Sequence, residues 1–155
     1  MLYLVLKSLH ILSVVLFLGN IITGVFWKFH ADRVGTASAR AQAIDGVIRS
    51  DRWFTIPGVF AIIITGVWMA FEAHLPLLGT KWILWSLVLF GISGLCFGAF
   101  VGPLQKKLLA NARAAEAGKP NHTEYQNLSR AWEIWGAVAT LAPIGALALM
   151  VLKPA

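Results

Sequence analysis

Four stretches of this chain, Leu2 to Trp27, Trp53 to Ala73, Trp82 to Leu104 and Ala131 to Leu152, are long and apolar enough to cross a bilayer. A spanning helix needs about 20 mainly apolar residues. In hydrocarbon every backbone N–H and C=O must be paired within the protein, which leaves helices and closed barrels. Segments of this length predict an all-α fold: an integral membrane four-helix bundle, with residues 1–155 as one domain. Composition agrees. Of 155 residues, 58% are hydrophobic and 13% charged, and the mean hydropathy is +0.73. A soluble domain carries about a quarter charged residues. Disorder, a collagen repeat and a disulfide scaffold are excluded as well, the last because Cys96 is the single cysteine.

The first apolar run has a basic start at Lys7 and is followed by the triplet Ala37-Ser38-Ala39, so it has some features of a signal peptide. Its length exceeds the 7–15 apolar residues typical of a signal, and Lys28, Asp32 and Arg33 separate it from the triplet. It is read as a retained helix.

Orientation follows from charge. Loop 28–52 holds Lys28, Arg33, Arg40, Arg49 and Arg52, and loop 105–130 holds Lys106, Lys107, Arg113, Lys119 and Arg130. Only Lys7, Lys81 and Lys153 lie elsewhere. By the positive-inside rule the two loops are cytoplasmic and both termini face outward. The net charge of +6 then calls for no nucleic acid: topology and anionic membrane lipid account for it.

Several local signals refine the helices. Thr80 is positioned to cap the third, which should continue through Leu108 and Ala115 and stop near Gly118, before Pro120. Thr123 with Gln126 fits a capping box, which starts the fourth helix near Glu124. Ala41, Ile44, Val47 and Ile48 share one helical face, as in a short helix lying on the inner membrane surface. Gly94, Gly98 and Gly102 recur every four residues, the spacing that lets helices approach closely, and are read as internal packing. Pro143 lies inside the fourth span, where it frees the carbonyl of Ala139 and should kink the helix.

Ionisable and polar groups at membrane depth are costly, so each is a functional candidate. On the first helix His10, Ser13, Asn20, Gly24 and Lys28 fall within roughly 80° of one another at 3.6 residues per turn. This stripe should face the bundle. Two polar groupings are expected: Lys7, His10, Glu72, His74 and Lys81 at the outer rim, and Lys28, His30, Arg52 and Glu133 at the inner rim. Met69 should sit at the depth of His10.

A lone imidazole inside a bundle is either hydrogen-bonded across helices, here to Ser13, Glu72 or a backbone carbonyl, or a metal ligand. As a ligand it suits haem b, because bundle interiors hold haem between facing helices. His10 is then the axial and metal-binding residue, and Lys81, Lys7, His74 and Met69 are the candidate second ligands or propionate partners. Copper would want several Met and Cys, and the three Met, one Cys and four His are scattered.

At these same residues the sequence resembles a family. The segment LKSLHILSVVLFLG, followed by FHADR, is similar to the opening helix of HemJ-type protoporphyrinogen IX oxidase. TIPGVFAIIITGVWMA resembles that family's second helix, TKWILWSLVLFGISG its third, and LSRAWEIWG with the final VLKPA its fourth. The likeness is closer still to an uncharacterised bacterial four-helix inner-membrane family related to HemJ. The resemblance implies a b-haem oxidoreductase that takes electrons from a tetrapyrrole and passes them to the respiratory chain. It places family residues at His10, His30, Lys81 and Glu133. It departs at the first helix's inner end, which lacks the family's Arg, and at Gly91-Ile92-Ser93-Gly94, which lacks its later His.

Two functions from different classes follow. One is a haem-binding redox protein. The other is a haem-free accessory subunit packed in a homo-oligomer or a larger respiratory-type membrane complex, with membrane lipid as the common partner. A small transporter, suggested by Pro143 and Asn20, is a third and weaker idea.

Overall fold

The computed structural model describes residues 1–154 and is all-helical. Four long helices carry the fold: α1 (Leu2–Val34), α2 (Ala37–Glu72), α3 (Lys81–Glu116) and α4 (His122–Leu152). All four are long and apolar enough to cross a membrane. At 1.5 Å per residue, 36 residues extend about 54 Å, well beyond a hydrocarbon core of about 30 Å. The polar segments expected as loops are thus mostly helical extensions of the spans.

The turns between helices are short and have clear causes. Gly35 ends α1 at φ 80°, its N–H bonded to Ala31 O, and Thr36 at once caps α2 by accepting the Ala39 N–H. Gly118, at φ 79°, follows the end of α3 where the sequence places the stop. The cap of α4 is Asn121 rather than Thr123: its side-chain oxygen accepts the Glu124 N–H at 3.1 Å, and its amide donates to Glu124 Oε2 at 3.0 Å. Thr80 precedes α3 but makes no side-chain cap bond.

Two helices contain a wide turn. Residues Asp51–Thr55 of α2 and Phe97–Val101 of α3 are π-helical. Each turn lies just before a proline, Pro57 or Pro103, that cannot donate to the ladder. A π-turn adds a residue to the helical repeat and redirects the side chains after it. The segment 37–50 is therefore not a surface helix. It continues into the span, and Ala41, Ile44 and Val47 are buried against neighbouring helices.

Contacts between the helices divide the bundle into two antiparallel pairs, α1 with α2 and α3 with α4. Phe17 meets Gly58, and Gly24 meets Val47, across the first pair. In the second pair Ser93 Oγ donates to Ala139 O at 2.6 Å. That carbonyl is the one Pro143 frees, so a serine on α3 satisfies the acceptor orphaned by a proline on α4. Two turns away Ser86 Oγ lies 2.7 Å from Trp82 O on its own helix and 3.3 Å from Ala146 O, a second contact across the pair.

The pairs join chiefly at one end, although the Phe17 and Phe90 rings also meet across them at 5.5 Å. At the end holding Gly35-Thr36 and residues 117–121, the loop end, the first part of α2 packs on the last part of α3, and α1 also reaches α4. Buried Ala41, Ile44, Leu108, Ala112, Tyr125 and Trp132 form the core there. At the opposite, terminal end, residues 56–72 of α2 and 81–96 of α3 do not pack on each other. The glycine row is not a helix contact either: a Cβ added at Gly94 or Gly98 would meet nothing within 4 Å.

Candidate functional site

On the α1 stripe Gly24 and Lys28 are buried and His10, Ser13 and Asn20 half-buried; His10, Asn20 and Lys28 bond side chains on other helices, whereas Ser13 bonds its own helix at Leu9 O. His10 lies at the terminal end. Its Nδ1 is 3.0 Å from Thr65 Oγ1, and Thr65 is buried. The Thr65 hydroxyl proton is committed to Ala61 O at 2.5 Å. With that bond made the hydroxyl accepts from the ring, an arrangement that favours the imidazole proton on Nδ1 and a lone pair on Nε2. Gly66 makes room for the ring. A Cβ there would stand 3.1 Å from His10 Cε1 and 3.5 Å from Nδ1.

A haem iron needs such a nitrogen, with its other ring N–H held by an outer partner. His10 with Thr65 meets that requirement for one axial position. The other expected members do not gather around it. Lys7, Glu72, His74 and Lys81 are exposed, and no hydrogen bond or ion pair among the described residues joins any two of them or links them to His10. Glu72 instead accepts from Trp68 Nε1 at 3.4 Å, and His74 sits at φ 53° in the turn after α2. Met69, one turn beyond Thr65, is half-buried. No group of three or more His, Cys, Asp or Glu that could hold a metal ion occurs among the described residues. The outer polar grouping expected from the sequence thus reduces to His10 and its seat.

At the loop end Lys28 is 1% exposed, the most deeply buried charge in the molecule's described part. Its ammonium lies 2.7 Å from Asp32 Oδ2 and 3.1 Å from Glu133 Oε1, and it also donates to the Ser129 hydroxyl. Phe29 and Trp132 rings flank it at 5.4 and 5.3 Å. Asp32 in turn accepts from Tyr125 OH at 2.6 Å and pairs with Arg40 at 3.5 Å. Two cations and two carboxylates balance, and the network ties α1, α2 and α4 together. Of the expected inner grouping, Lys28 and Glu133 meet. His30 and Arg52 do not join them: both are exposed, and His30 stacks on Phe26.

Between these sites lies a third arrangement that the sequence reading missed. Asp51, 7% exposed, sits in the π-turn of α2. Its Oδ1 accepts from Thr55 Oγ1 at 2.7 Å and Asn20 Nδ2 at 3.2 Å, and its Oδ2 accepts from Gln105 Nε2 at 2.9 Å. Every partner is neutral. Asp51 and Thr55 are four residues apart, as are Lys28 and Asp32, and Ser129 and Glu133. Such i, i+4 polar pairs at the ends of apolar runs were the available signal.

With this geometry in place, comparison with known proteins adds one result. Residues 4–154 match the family of predicted integral membrane proteins designated DUF2269, and the chain belongs to that family. No curated protein matches it, and no solved structure does.

Proposed function

We propose that this chain is a membrane haem b protein with a redox role, His10 serving as an axial ligand through Nε2. The observation that supports this reading is the hydrogen-bond chain from His10 Nδ1 through Thr65 to Ala61 O, which favours the tautomer with a free lone pair on Nε2. Haem bound there would supply one-electron chemistry. The protein's own part is to orient the ring through Thr65, to seat it on Gly66 and to keep it in an apolar setting. The resemblance to HemJ adds a tetrapyrrole as the first donor to try and the respiratory chain as the destination of the electrons. The basic residues of the loop end support placing that end in the cytoplasm of a bacterial cell, with the termini on the periplasmic side.

The test is an absorption spectrum of the purified protein, in the oxidised and dithionite-reduced states. A Soret band that is lost in His10→Ala, while the variant stays folded by circular dichroism, is the expected result. A folded, colourless wild-type protein reconstituted with excess haemin, or an unchanged band in His10→Ala, overturns the reading.

A further inference from the structure

A cavity of about 390 Å³ lies between the two helix pairs, within the size range of small-molecule sites. It does not reach His10. Its walls are almost wholly apolar and rich in aromatic rings, among them Phe17, Phe60, Phe90 and Phe97. Phe60 is also exposed at the outer face of α2, where α2 and α3 stand apart, so the cavity has a lateral approach from the lipid.

Its few polar groups are concentrated. The Asp51 cluster with Asn20, Thr55 and Gln105 lines one side. Trp132 lines it as well, is 4% exposed, and its indole Nε1 is buried without a hydrogen-bond partner. An indole N–H only donates, and leaving one unpaired in a buried setting is costly. Asp51 accepts three hydrogen bonds where a carboxylate has about four lone-pair sites, so it retains capacity for one more donor. The cavity wall thus holds one available acceptor, and one unused donor lies closed off just behind it, around an apolar, aromatic chamber.

We propose that this cavity binds a membrane-soluble ring compound bearing a hydroxyl group, of the phenol or quinol class, the hydroxyl donating to Asp51 and, with a shift of the wall that uncovers it, accepting from Trp132 Nε1. A hydroxyl both donates and accepts, so one group answers both residues. An ammonium has no lone pair to offer Trp132, and it crosses hydrocarbon at high cost. The aromatic walls favour a flat ring by offset or edge-on stacking. The site is independent of haem at His10.

Glycine positions make the test clean. Gly94 and Gly136 both line the cavity, and a Cβ at either would meet nothing within 4 Å. Gly94→Leu therefore fills the chamber without a clash at its first carbon, and leucine is the better helix former. Binding of decyl-substituted hydroquinone to the purified protein in detergent, under argon, is followed by tryptophan fluorescence and by thermal shift. Saturable binding is expected, with affinity falling about tenfold or more for the dimethyl ether of the probe and for Asp51→Asn. Gly94→Leu is expected to abolish binding while keeping the helical signal. His10→Ala should leave the affinity unchanged, which separates this site from the haem reading. Absence of saturable binding, equal affinity for the hydroquinone and its ether, tighter binding of decylaniline, or undiminished binding by folded Gly94→Leu overturns the proposal.

Discussion

At the loop end, Lys28 from α1 is enclosed by Asp32, Ser129 and Glu133, Tyr125 and Arg40 extend the network, and Leu108 and Trp132 pack behind it. At the terminal end the same four helices form two separate pairs, and His10 with Thr65 and Gly66 is the polar feature of the first. The difference lies in what each region has to offset. The loop end carries charge out of water, which is tolerable only when every charge has a partner. The terminal end is mainly Leu, Ile, Val and Phe, for which lipid is as good a neighbour as another helix, so little drives the pairs together. Rigidity therefore resides at one end and available volume toward the other.

Breaking the clamp should have the largest effect. Lys28→Met removes the cation between Asp32 and Glu133 and is expected to destabilise the protein by about 3 kcal/mol. That is the lower end of the range for an opened buried pair, because both carboxylates are partly exposed. Thermal unfolding in detergent measures it, and a loss under about 1 kcal/mol would show that the network is not what joins the pairs.

A smaller loss is expected within the second pair. Ser93→Ala leaves Ala139 O without its donor beside Pro143 and should cost about 1 kcal/mol. The double variant Ser93→Ala with Pro143→Ala restores an intrahelical donor for that carbonyl. It should recover most of the loss, and failure to recover would mean that Ser93 acts through packing alone.

The smallest effect on stability, with a large effect on the spectrum, is expected at the terminal end. Gly66→Ala puts a methyl group 3.1 Å from His10 Cε1 and displaces the ring. Stability should change by no more than about 1 kcal/mol, since alanine is the better helix former and lipid lies nearby. On the proposal that His10 ligates haem, the Soret absorbance should fall severalfold. An unaltered spectrum would mean that the seat on Gly66 does not position the ring.

Much of this was legible beforehand. The four apolar runs located the spans, the Gly118-Pro120 stop of α3 was readable, and the polar stripe on α1 was visible as a period of 3.6. Two things were not. Loop 28–52 reads as polar by charge count, with at most a short helix on the membrane surface, yet its residues 37–50 continue into the second span because Ala41, Ile44 and Val47 find buried partners on other helices. Asp51 reads as a loop residue for the same reason, and only the π-turn before Pro57 turns it toward Asn20 and Gln105.

By itself the sequence determined the class of fold and the inward face of α1, because bilayer thickness sets segment length and helical periodicity sets which side chains share a face. The tertiary structure decided the partners: Thr65 for His10, Ser93 for the carbonyl that Pro143 frees, a neutral cage for Asp51. Periodicity fixes an angle around one helix axis. Which neighbour occupies that angle, and at what height, depends on how far helices slide and turn against each other, and here two π-turns reset both.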